Sequence, residues 1–253
     1  MVVGTAMNRF QVKAKRLAKS RQSPLPTRRV KRGPAMRYLL MAVIVVTWLA
    51  WAPQAQAETV TFVSNPNWFA LSTTNLLASG FAQNVCPNPS SPPNCPAGAT
   101  LYGFPGIVWT ADLSRIRGAT WIWAPRITGA TGNAGLAKFS FFNVIAPSTS
   151  GKRAIAGTIY VAADDFAAVL VNGTSIGTTG SVTNESAASA AQNALKTFPI
   201  PKSALDVSPS VVLIEIRARN GSFGGCNPVS NPTNCTYSTN PAGVVFGGSI
   251  EFQ

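Results

Sequence analysis

Through the second half of the chain, apolar and polar positions alternate in short runs broken by turn residues. The stretch 157–177, GTIYVAADDFAAVLVNGTSIG, places one strand-like run on each side of Asp164-Asp165 and ends the second at Asn172-Gly173. Asn and Gly tolerate positive φ, so this pair after a β-branched run predicts a tight hairpin. Asp164 and Asp165 read as the corner before it, their side chains capping backbone N–H groups.

The cleanest alternation is VVLIEIRAR, 211–219. Ile214, Ile216 and Ala218 fall on one face and Glu215, Arg217 and Arg219 on the other. Val169, Val171 and Phe141 are expected to point inward with the isoleucines. Further strands are predicted at 58–63, 119–124, 138–144 and 243–252. Helical period is scarce: 76–83 would form a turn or two, and alanine-rich 186–195 either a helix or a small-residue loop. Eight or so strands with long loops describe an all-β fold, a single β-sandwich of jelly-roll type.

Charge changes the picture only after it is divided. Of the 21 Lys and Arg residues, eleven lie in 1–57, which holds no Asp or Glu. The remaining ten bases and eight acids give residues 58–253 a net charge of +2. A nucleic-acid partner would need its basic patch on the folded part, so that class is set aside. Behind the basic stretch runs an uncharged apolar segment, Tyr38 to Ala52, ended by Pro53 and followed by Ala55-Gln56-Ala57. This is the layout of a secretory signal peptide cleaved between Ala57 and Glu58. The apolar run falls short of the ~20 residues of a spanning helix. An uncleaved anchor is the alternative. Starting at Met36 rather than Met1 would give a leader of ordinary length. The expected domains are therefore a leader, 1–57, and a sandwich, 58–253, secreted or held at the cell surface with no stable membrane span after cleavage.

The four cysteines form two equally spaced units, Cys86-PNPSSPPN-Cys95 and Cys226-NPVSNPTN-Cys235. Export favours disulfides, and two local bridges are the simplest pairing, with crossed pairing open. Each short loop closed in this way would gain roughly 2–3 kcal/mol in the chain-entropy model. A four-cysteine zinc site needs much shorter knuckles.

Trp121-Ile-Trp123, the F-x-F at Phe139 and Phe141, A-D-D at 163–165, V-N-G at 171–173, Ala218-Arg-Asn220 and Asn240-Pro-Ala-Gly243 follow one another in order. In that order they resemble the galactose-binding-like jelly roll, an accessory domain of secreted bacterial glycosidases and adhesive proteins. The resemblance covers roughly residues 118–253. It implies fold more firmly than activity, because such sandwiches host many functions.

Three functional classes follow. The first is a non-catalytic module binding a glycan or cell-surface polymer, with loop aromatics Trp68, Trp109 and Tyr237 stacking on sugar and Arg126 and Asn220 as polar partners. Trp121 and Trp123, alternating on a strand, are expected to split between core and surface. The second is a structural subunit of a filament, sheath or surface layer, whose early strand pairs with a neighbour's sheet edge; self-association stays open. The third, catalysis, is disfavoured. The chain has no histidine, and adjacent strand residues such as Asp164 and Asp165 should face opposite ways rather than across a cleft. No cofactor is expected. The resemblance brings the thought of a structural calcium, but calcium wants six to eight oxygens, and no ligand set is assigned.

Overall fold

The structure is a computed structural model that describes residues 56–72, 79–86, 100–101, 109–125, 138–221 and 239–253. These residues belong to one compact unit, Ala55–Gln253.

Alternating apolar positions can be buried only if strands stack their apolar faces, and two sheets do so here. The first holds β1 (Glu58–Val63), β4 (Gln83–Cys86), β5 (Thr100–Leu101), β6 (Ile122–Trp123), β8 (Ala154–Asp164), β11 (Lys196–Pro199) and β13 (Gly243–Phe252). The second holds β2 (Phe69–Ser72), β3 (Gly80–Phe81), β7 (Lys138–Ile145), β9 (Phe166–Val171), β10 (Thr174–Gly180) and β12 (Val212–Arg219). Each described pairing is antiparallel except β4 with β5. From β7 on, the chain changes sheet at every connection but the β9–β10 hairpin, which is the jelly-roll habit. The fold is the expected all-β sandwich.

Central strands β12 and β13 carry the core. β12 lies between β7 and β9 and buries Val212, Ile214, Ile216 and Ala218. β13 lies between β8 and β1 and buries Phe246, Ile250 and Phe252. The five residues expected inward, Phe141, Val169, Val171, Ile214 and Ile216, are all fully buried. The hairpin closes as its sequence predicts: Asn172 has φ 49°, Gly173 has φ 79°, and Thr174 pairs with Val171.

Two expectations need correction, and one open alternative is resolved. Of the stretch 76–83, expected to form a turn or two of helix, residues 76–78 lie outside the described residues, and the rest enters β3 and β4, where pairing with β2 and β6 overrides a weak local preference. The alanine-rich stretch is helix α1 (Glu185–Asn193), because Asn184 Oδ1 accepts from the Ala187 N–H at 3.0 Å and caps it. A second short helix, α2, spans Lys202–Leu205. Trp121 and Trp123 do not split between core and surface; both are buried. Residues two apart in an extended chain share a face rather than opposite ones, and the Trp121 ring is buried by stacking on Trp109 at 4.3 Å.

The leader, apart from its last two residues, lies outside the described residues, as do Cys95, Arg126, Cys226, Cys235 and Tyr237. Cys86 is buried and is not a free thiol. Among the described residues no helix is long and apolar enough to cross a membrane.

Candidate functional site

At Asp164 the chain leaves the first sheet, and at Phe166 it enters the second. Asp164 and Asp165 sit at this corner, joined by a cis peptide. Their carboxyls do not diverge as a regular strand would require; they hydrogen-bond each other. The Trp109 indole Nε1 donates to Asp164 Oδ2 at 2.9 Å. The Gly221 N–H donates to Asp165 Oδ2 at 2.5 Å. The Asp165 main chain is held too, its N–H by Arg219 O at 3.3 Å and its carbonyl by Ser181 N at 3.2 Å.

Burial raises the pKa of Asp164 well above the usual carboxylate range, and the neighbouring Asp165 charge raises it further against the opposing pull of the Trp109 N–H. Burial also raises Asp165, while its bonds to Asp164 and Gly221 pull the other way. Physically, one carboxyl keeps its proton and donates it to the other. The corner is thus a clip joining the β8–β9 turn to the ends of β10 and β12 and to the Trp109 segment. Asparagines extend it: Asn220 Nδ2 donates to Asn240 O at 3.3 Å, and Asn240 Nδ2 donates to Gly221 O at 2.8 Å.

Two glycines make this packing fit. Gly180 has φ 74°, and a Cβ there would lie 1.8 Å from Asp165 O. Gly243 lies under Trp109, where a Cβ would come within 2.5 Å of the ring. Among the described residues no three of His, Cys, Asp and Glu come together, and the corner carboxyls spend their oxygens on each other, Trp109 and Gly221.

Of the expected binding residues, Trp68, Trp109 and Asn220 are buried, while Arg126 and Tyr237 lie outside the described residues. Trp68 is only 1% exposed; its Nε1 donates to Val63 O at 2.9 Å and its ring meets Phe246 edge-on at 4.6 Å. Trp109 is 7% exposed and lies in a different aromatic group, with Trp121. Asn220 is buried, and among the described residues its Oδ1 has no hydrogen-bond partner. All three place their N–H on an internal acceptor, Val63 O for Trp68, Asp164 Oδ2 for Trp109 and Asn240 O for Asn220, and bury the rest of the side chain. A loop position is therefore no guarantee of exposure.

Among the described residues, exposed aromatic surface lies on the outer face of the second sheet. The ladder aligns Phe81 on β3, Phe69 on β2 and Phe142 on β7 in one row across the strands. Phe81 is 67% exposed, Phe69 42%, and Phe142 is partly buried. The Phe69 and Phe81 rings meet edge-to-face at 6.1 Å. Val144 and Leu213, themselves ladder partners, continue the apolar patch along β7 and β12. The row runs on into Glu215, which Arg217 holds through two bonds, Nε to Oε1 at 2.7 Å and Nη2 to Oε2 at 3.1 Å. One signal in the sequence marks this face: Phe141 and Phe142 are consecutive strand residues, so only one of them can point inward.

No family model matches the chain, and no curated protein does. Solved structures with some likeness include an FMN-binding β-glucuronidase from Facaelibacterium prausnitzii L2-6, at 14% identity and TM-score 0.33, covering 77% of this chain and 23% of that one. A GH2 β-galacturonidase from Eisenbergiella tayi bound to galacturonate stands at 11% identity and TM-score 0.28, covering 77% of this chain and 26% of that one. The chain thus spans about a quarter of the length of these glycosidases, and at such scores the likeness carries nothing about activity or substrate.

Proposed function

We propose that the chain is a secreted, non-catalytic module that binds a carbohydrate polymer through the outer face of its second sheet. The observation that carries this reading is the exposed row Phe81–Phe69–Phe142. Soluble domains rarely leave side-by-side aromatic rings in water without a partner. A pyranose ring offers such a face its axial C–H groups, while the half-exposed Arg217 guanidinium, oriented by the buried Glu215 farther along the row, supplies donors for hydroxyls. The motif order that resembles a galactose-binding-like domain points to the same ligand class. The reading of the protein as non-catalytic rests on a chain without histidine and on a described carboxyl pair bonded to itself and to the scaffold.

A glycan array probed with the purified chain tests the proposal. Retention on at least one polysaccharide class supports it, and signal at background across the array contradicts it.

A further inference from the structure

Among the described residues the first sheet leaves the outer edge of β1 open, unlike the edges at β11, β10 and β3. β1 pairs with β13 along one side only. Its Ser64 N–H donates to Phe246 O at 2.8 Å, which fixes the phase of the ladder: alternate residues Glu58, Val60 and Phe62 turn their backbone groups toward β13. Thr59, Thr61 and Val63 therefore turn theirs outward. Val63 O is taken by the Trp68 indole. Among the described residues nothing takes the outward N–H and C=O groups of Thr59 and Thr61, and both residues are exposed.

Open edges are normally blunted. The β11 edge carries Lys196 and ends at Pro199. On β10 the Thr178 carbonyl is capped by Lys196 Nζ at 2.8 Å, and the strand is irregular between Ser175 and Gly177. β3 has only two residues. β1 has neither proline nor lysine, and its one charge, Glu58, is held by Lys152 at 3.0 Å.

We infer that β1 is a docking edge for a second copy of this chain, forming a closed two-fold dimer in which two β1 strands pair antiparallel about Val60. The sequence of the strand selects this occupant. A two-fold at Val60 sets Thr59 opposite the partner's Thr61 and Thr61 opposite the partner's Thr59. The free backbone groups of both chains are then satisfied by four hydrogen bonds. The exposed hydroxyl side chains meet as Thr–Thr pairs, a favourable cross-strand combination. Glu58 faces the partner's Phe62 rather than another carboxylate.

An isologous contact of this kind closes at two and does not propagate into a fibre. Its axis runs perpendicular to the joined sheet, so the outer faces of both second sheets turn to the same side. On the reading that those faces bind polymer, the dimer presents two aromatic rows to one surface and gains avidity.

The test is sedimentation equilibrium of the secreted chain beside Thr61→Pro, which deletes one outward N–H, and Thr61→Lys, which places a charge on the edge. The parent should be a dimer that dissociates on dilution. Because the two-fold repeats each change, either variant should weaken self-association on the order of 100-fold. A monomeric parent, dimers that persist in both variants, or assembly that grows beyond two would each overturn the inference. Should Thr61→Pro lose its strand signal in circular dichroism, Thr61→Lys decides. Phe69→Ala leaves the edge intact and should dimerise like the parent whatever happens to glycan binding, so the two readings fail separately.

Discussion

Trp109 and Asp164, 55 residues apart in sequence, share a buried hydrogen bond of 2.9 Å between the indole Nε1 and the carboxyl Oδ2. Trp109 stacks on Trp121, so the acid corner and an aromatic pair at the same end of the sandwich hold each other in place. Asp164→Asn keeps an acceptor for the indole and a donor for Asp165, and should melt near the parent. Asp164→Ala leaves a buried N–H unpaired and should lose about 1–3 kcal/mol. Denaturant titration of the two variants distinguishes them; equal losses would mean that the bond does not hold the corner.

The same corner gives stability a sign with pH. Its carboxyl pKa values are raised in the folded state. Their contribution is therefore fully present below the unfolded carboxylate value and is lost as pH rises through the raised folded value. Glu58 runs the other way. The Ser148 N–H and Lys152 lower it from 4.5 to about 2, so its contribution is present above 4.5 and is lost as pH falls toward 2. Melting temperatures across pH should show Asp164→Asn flattening the alkaline limb and Lys152→Met flattening the acid one.

The tryptophans make a third prediction. Trp68→Ala should unfold or destabilise the domain by about 3–5 kcal/mol, because it empties a core site beside Phe62 and Phe246. Chemical unfolding checks this, and a variant with parental stability would return Trp68 to the list of surface candidates.

Gly180→Ala should be costly as well. The position has φ 74°, and its Cβ would meet the Asp165 carbonyl at 1.8 Å. Strain of this kind exceeds the roughly 1 kcal/mol of ordinary Gly-to-Ala effects. Thermal unfolding of the variant is the check, with an unchanged midpoint as the contrary result.

The strands were legible because burial on one face writes itself as alternation. Ile214, Ile216 and Ala218 show this on β12, and Asn172-Gly173 marks its hairpin without tertiary help. The site was not legible in the same way. Trp68 and Trp109 stand among turn residues, and only the fold shows Val63 O and Asp164 receiving their indole N–H groups. Asp164 and Asp165 were separable on paper because a regular strand alternates, whereas the corner leaves the strand between them. The Phe81–Phe69–Phe142 row joins residues from three strands, and a pairing register is not a local property of sequence.

Binding of a carbohydrate polymer by this row is read out by a depletion isotherm on insoluble cellulose, chitin and xylan. The parent is compared with the double variant Phe69→Ser and Phe81→Ser, both sites being exposed enough that folding should survive. The parent should bind at least one polymer saturably, and the variant should lose at least about tenfold in affinity, the equivalent of 1.4 kcal/mol. Parent and variant binding alike, or neither binding at all, would contradict it.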